Sequence, residues 1–238
     1  MEFLGDVMAW FTTADNWLGT TGILNRTWEH IYLSAAAVAV AGLIAVPAGV
    51  TLGHIGRGGV AAVSIVNIGR AVPSFGIVAL ALPITIKMGL GLGWAPTLLA
   101  LVALALPPMF TNSYTGVHEV DSALVEAGRG MGMRGPEILR EIELPAASPL
   151  ILAAVRISSV QVVATATLGA LVAWGGLGRF IIDGFARGDE VMVFAGGLLV
   201  ALLAVLTEVF FSLIERVILP RGLQVARAAA ETAVPAST

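Results

Sequence analysis

The sequence predicts an all-α membrane protein of about five transmembrane helices with one two-helix loop on the cytoplasmic side. Three observations carry that prediction. First, 57% of the 238 residues are hydrophobic and 12% are charged, against roughly 45–50% and about 25% in ordinary globular domains. Second, the chain contains long stretches almost free of charge, and about 20 apolar residues suffice to cross a bilayer core of about 30 Å. Third, only one internal segment, His118 to Pro145, is both long and polar. The composition also excludes a disordered chain. With no Cys there is no disulfide, thiolate metal site or thiol nucleophile. A net charge of −3 gives no basis for a nucleic-acid partner.

Residues 1–29 form an N-terminal extracytoplasmic or interfacial segment. Met1 to Phe11 is too short and too acidic for a cleavable signal. Phe3, Leu4, Val7, Met8, Trp10 and Phe11 suit a short helix lying on the membrane surface, and a disordered leader fits equally. A membrane domain follows over residues 30–220. Ile31 to Gly53 carries no charge and forms the first span, with Pro47 inside it. Gly58 to Ile86 is the second, interrupted by Arg70 and Pro73. Met88 to Val117 is uncharged and holds the third, near Trp94 to Phe110, with Pro107 and Pro108 near its end. Ala146 to Trp174 is the fourth, with Arg156 inside it. Val191 to Leu219 is the fifth, with Glu208 and Glu215 in its second half. Residues 221–238 read as a disordered cytoplasmic tail. Placing the N-terminus outside puts seven basic residues (Arg57, Arg129, Arg134, Arg140, Arg216, Arg221, Arg227) on inner segments and four (Arg26, Lys87, Arg179, Arg187) on outer ones. The positive-inside rule favours that orientation.

The polar segment 118–145 has the punctuation of two short helices. Asp121 and Ser122 offer a cap before Ala123-Leu124-Val125-Glu126-Ala127. Gly128, Gly130, Gly132 and Gly135 then interrupt any continuous helix. Pro136 suits the first turn of a second helix. There Ile138, Leu139 and Ile142 share a face, and Pro145 ends that helix and begins the fourth span. An amphipathic pair held at the membrane face suits docking into a groove on another protein. A solvated connecting loop is the alternative.

Glu126-Ala127-Gly128, then Gly132, then Ile142-Glu143-Leu144-Pro145 resembles the EAA loop of bacterial ATP-binding-cassette importer permeases. Three residues precede Gly132 and nine separate it from Ile142, as in the family pattern. Gly128 stands where the family has Ala, and should weaken the first helix by about 1 kcal/mol. Further matches are Arg70-Ala71-Val72-Pro73-Ser74 (family members often have Gln at the Arg70 position), Tyr114-Thr115-Gly116-Val117, Ala164 to Ala170, and Gly175-Gly176-Leu177-Gly178. These resemble the osmoprotectant branch, whose substrates are of the glycine betaine, choline, carnitine and proline betaine type. A methionine or other amino-acid permease is the alternative within transport.

The resemblance implies a bacterial inner-membrane, multi-pass subunit without an ATPase of its own. No G-x-x-x-x-G-K-[ST] occurs in the chain. The implied partners are cytoplasmic subunits that bind ATP and magnesium, a second permease subunit (a copy or a paralogue), an extracytoplasmic solute-binding protein and the lipid bilayer. By position, Glu126, Ala127 and Gly132 belong to the first docking element and its turn, and Ile142, Leu144 and Pro145 to the second. Glu126 makes an ionic or capping contact within the loop or with the ATPase, or is a solvated helix face.

Within the spans, ionisable and polar groups are functional candidates. Arg70 lines the translocation path or marks a re-entrant bend at Pro73. Gln161 and Thr165 lie four residues apart on one face and line the path or bond between helices. Arg156 is expected to snorkel to the cytoplasmic interface. Gly175 to Gly178 is expected to be a flexible outer turn. His30, His54 and His118 show no metal-ligand spacing, and no base stands ready for Ser-based chemistry, so an intramembrane enzyme is disfavoured. A channel acting alone is the remaining rival.

Overall fold

In the computed structural model, which describes residues 2–69 and 72–218, every regular element is a helix. Helix α1 (Glu2–Thr12) and a 3₁₀ turn at Ala14–Asn16 precede α2 (Ile23–Ile55). Helix α2 starts eight residues before the span predicted from sequence. Its first turns tolerate Asn25, Arg26, Glu29 and His30 because each side chain finds a partner. The second stretch is two helices, α3 (Gly59–Gly69) and α4 (Ser74–Lys87), bent by 85° to one another. Pro73 precedes the first residue of α4, with the φ of −58° that its ring enforces.

Helix α5 (Trp94–His118) continues through Pro107 and Pro108 rather than ending near them. Two further short helices, α6 (Ser122–Gly130) and α7 (Gly135–Ile138), follow. A π-turn at Leu139–Glu143 joins α7 to α8 (Leu144–Thr165), which tightens into a 3₁₀ turn at Ala166–Val172. Helix α9 (Gly178–Arg187), not expected from sequence, leads into α10 (Glu190–Ile218). Among the described residues, four helical stretches are long and apolar enough to cross a bilayer, and the bent α3/α4 pair has the geometry of a broken span or a re-entrant loop, the former making five.

Helices α2, α5 and α8 form the centre. Leu33, Ala37, Ala41 and Ala45 of α2 pack on Leu101, Val102, Ala105, Met109 and Phe110 of α5 and on Val162 of α8. The α2 face is a four-residue repeat of small side chains that runs on to Gly49 and Gly53. A Cβ at Gly49 would stand 2.6 Å from the Phe110 carbonyl oxygen, and one at Gly53 would stand 2.8 Å from that of Tyr114. Small residues at such a seam let backbones approach, which is how apolar helices gain packing in lipid. Helix α10 lies at the periphery, and most of its large apolar side chains are exposed.

The structure revises the expectation for Arg156. Its guanidinium reaches Glu215 at 3.2 Å and Glu208 at 3.6 Å on α10. Pairing of charge between two spans replaces snorkelling, because the two carboxylates stand seven residues, or two turns, apart on the face of α10 that meets α8.

Candidate functional site

Residues 118–145 mark one end of the bundle, the loop end. Asp121 caps α6 by accepting the Ala123 N–H at 2.9 Å. The helix then runs through Gly128 to Gly130, so Gly128 does not interrupt it as expected. Reversal happens at Gly132, whose φ is +89°. A Cβ there would meet no neighbour within 4 Å, so the demand for Gly is conformational and not steric. Pro136 stands in the first turn of α7, and Glu137 accepts the Arg134 N–H at 2.6 Å to close that turn.

Gly128 is buried where α6 meets the following helix. A Cβ there would lie 2.7 Å from the Ile142 Cδ1 and 3.3 Å from the Met133 sulfur. Ile142 thus packs against α6 at Gly128. Glu126 and Ala127 are exposed on the opposite side of α6, beside the exposed Leu124. The Glu126 carboxylate makes no hydrogen bond or ion pair among the described residues, so the expected contact within the loop is not formed.

Pro145 does not end the second helix. Gly135 to Val172 is one helical path of 38 residues, with Pro145 in the first turn of α8, where its missing N–H is tolerated. Leu144 packs with Leu139 and Ile151 against Val50, Val117 and Ala147, which fastens this path to α2 and α5. His54, in the last turn of α2, holds Glu143 of the π-turn at 2.6 Å between Nδ1 and Oε2. Tyr114 and His118 stack with ring centres 5.1 Å apart at the same end, and the Tyr114 ring fills the space where Gly59 has no Cβ.

Of the path candidates, the structure brings some together. Ser74, which follows Pro73, lines a small crevice with Thr97, Leu101, Thr165 and Leu168. The bend at Pro73 and the Thr165 end of α8 therefore meet. Gln161 is exposed one turn away and does not line that crevice. Arg70 lies outside the described residues, as does the segment 221–238.

The far end is more ordered than the sequence suggested. Glu29 accepts the Gly176 N–H at 2.8 Å and Arg26 Nη1 at 2.9 Å. The buried His30 accepts the Leu177 N–H on Nδ1 at 3.3 Å and donates from Nε2 to the Val163 carbonyl at 2.8 Å. The turn at Gly175–Gly178, expected to be free, is thus hydrogen-bonded to α2, and Gly176 takes a φ of +79°. Sequence reading missed this pair because its partners lie 147 residues away.

Residues 45–220 match the family described as Binding-protein-dependent transport system inner membrane component. The glycine betaine/carnitine/choline transport system permease protein OpuCB of Bacillus subtilis is 36% identical, over 85% of this chain and 91% of that one. The carnitine transport permease protein OpuCB of Listeria monocytogenes is 34% identical, over 88% and 94%. Among solved structures, a chain of the MetNI methionine ABC transporter in inward-facing conformations superposes with a TM-score of 0.72 at 24% identity, over 82% of this chain and 95% of that one. Fold, motif spacing and these relatives agree, and the chain belongs to the family of binding-protein-dependent transport system inner-membrane components.

Proposed function

We propose that this chain is the membrane-spanning subunit of an ATP-driven importer of osmoprotectants of the glycine betaine, choline, carnitine and proline betaine type. Its segment 118–145 docks into a cytoplasmic ATP-binding subunit. The observation that carries this reading is the continuity of the docking segment with a span. A displacement of α7 moves α8 as one body, because one helical path joins them. The exposed face of α6, with Leu124, Glu126 and Ala127, is left for the partner. Gly132 sets the turn between the two docking helices, Ile142 packs on Gly128 of the first, and Leu144, beside Pro145 in the first turn of α8, fixes the second to the bundle.

The complete assembly has two permease subunits, two ATP-binding subunits and a solute-binding protein. Closure of the ATP-binding pair selects one of two packings of the spans. ATP and magnesium belong to the partner, and no chemistry is assigned to this chain. The crevice at Ser74, Thr97 and Thr165, with Pro73 beside it, borders the translocation path. Gln161 and Arg70 are assigned to the same path by their positions in the sequence. The substrate class is supported by relatives that are permeases for glycine betaine, carnitine and choline.

The test is co-purification with the ATP-binding subunit and the binding protein, followed by ATP hydrolysis in proteoliposomes. Hydrolysis should rise with binding protein loaded with a quaternary ammonium osmoprotectant. Stimulation by methionine-loaded binding protein, and none by osmoprotectant, would overturn the substrate assignment.

A further inference from the structure

We propose that His54 and Glu143 form the link that transmits movement of the docking segment to the first span, α2. The inference rests on the reading of residues 118–145 as that segment.

Glu143 follows Leu139 and precedes Ala147 at four-residue steps, so all three share one face of their helix. That face is buried: Leu139 and Ala147 belong to the apolar cluster with Val50 and Val117, and Glu143 is 6% exposed. A carboxylate in the middle of an apolar stripe is costly unless it is paired. His54 supplies the pair, with Nδ1–H donating to Oε2 over 2.6 Å. The other edge of the same ring faces the start of α7, where a Cβ on Gly135 would stand 3.4 Å from Nε2. One imidazole of α2 thus bonds Glu143 at the end of the π-turn and faces Gly135 at the start of α7.

Packing alone does not require this arrangement. An apolar pair of similar volume would fill the site at equal or better stability. What a directional hydrogen bond adds is a fixed orientation between two elements, and it does so at a π-turn, a feature often found where a helix serves a function. Leu144 and Leu139 fasten the docking segment to the bundle by packing, which permits sliding. The His54–Glu143 bond fixes the register of that contact, so α2 follows when α7 moves.

The test uses the complete transporter, with ATP-binding subunit and binding protein, in proteoliposomes. The double variant H54L/E143M keeps the volume and removes the bond. It should still co-purify with the ATP-binding subunit, while uptake per ATP hydrolysed falls about tenfold, a typical size for a coupling between sites. Two single variants separate a linking role from a merely structural one. H54N places an amide nitrogen where Nδ1 stands and should recover most of the uptake. H54Q places its nitrogen where Nε2 stands and should not. Unchanged uptake per ATP in H54L/E143M, or equal behaviour of H54N and H54Q, would overturn the link. Failure of the wild-type chain to bind any ATP-binding subunit would instead overturn the reading of the docking segment. Should the double variant not reach the membrane, the comparison of H54N with H54Q decides.

Discussion

Gly132 and Gly128 show two different reasons for a glycine within one motif. At Gly132 the backbone turns with φ at +89° and the space around it is empty. An L side chain there is strained by about 1–2 kcal/mol whatever its size. Gly132→Asp should therefore abolish transport while membrane insertion stays intact, and Gly132→Val should act at least as strongly. Uptake by whole cells beside an immunoblot of the membrane fraction checks both, and normal uptake by either would remove the turn from the mechanism. At Gly128 the backbone is helical, so the constraint is the Ile142 methyl 2.7 Å from the absent Cβ. That methyl ends a flexible side chain and can rotate away. Gly128→Ala should retain uptake close to wild type, since a gain in helix propensity of about 1 kcal/mol offsets the adjustment. Gly128→Leu cannot be accommodated by one rotamer change and should lose uptake. The spacing of the motif was readable in the sequence because both docking helices are local. The kind of constraint at each glycine was not, because it depends on φ and on a neighbour fourteen residues away.

Among elements, α2 shows how much a pattern can say when its period is read. Ala37, Ala41, Ala45, Gly49 and Gly53 recur every four residues, a stripe visible in the sequence and sufficient to nominate the face that meets α5. Hydropathy alone located the span and left that face unassigned. Gly49→Leu should prevent the α2–α5 approach, because the obstacle is the Phe110 carbonyl and a backbone cannot step aside. Overpacking of this kind costs about 1–3 kcal/mol or more. A fall in the thermal midpoint of the detergent-solubilised protein would show it, with Gly42→Ala as the control, since only the Met109 sulfur lies near, at 3.9 Å. The contact between α8 and α10 was not legible, because Arg156 finds Glu208 and Glu215 some 50 residues onward, and a charge near a span end has snorkelling as its simplest explanation. Exposure ranks the two carboxylates: Glu215 is 8% exposed and Glu208 is 49% exposed. Arg156→Ala should destabilise the helix pair by about 3 kcal/mol, the scale for breaking a buried ion pair. Glu208→Gln should cost less, because Glu208 is the more exposed of the two carboxylates and stands farther from the guanidinium. Equal thermal midpoints for Arg156→Ala and the wild type would contradict the pairing.

At the scale of the whole molecule, the two ends of the bundle are built to different rules, and the orientation in the membrane decides what each can bind. The loop end presents an open helical face on a rigid stem. The far end is closed by the Glu29 and His30 clamp on Gly176 and Leu177 and by α1, whose Phe3 and Trp10 rings pack edge-on against Phe194 and Phe180. Charge counting places the loop end in the cytoplasm, by seven basic residues to four. An ATP-binding partner can reach it only there. The chain contains no cysteine, so single cysteines can be introduced without removing any. Met131→Cys, in the turn between the docking helices, and Arg187→Cys, at the end of α9, both occupy exposed positions. A membrane-impermeant maleimide applied to spheroplasts should label Arg187→Cys at once and Met131→Cys only after permeabilisation. Adding the ATP-binding subunit to permeabilised membranes should then protect Met131→Cys and leave Arg187→Cys reactive. Labelling of Met131→Cys in intact spheroplasts would place the docking face outside the cell, where no nucleotide-driven partner works, and the transport mechanism built on it would have to be abandoned.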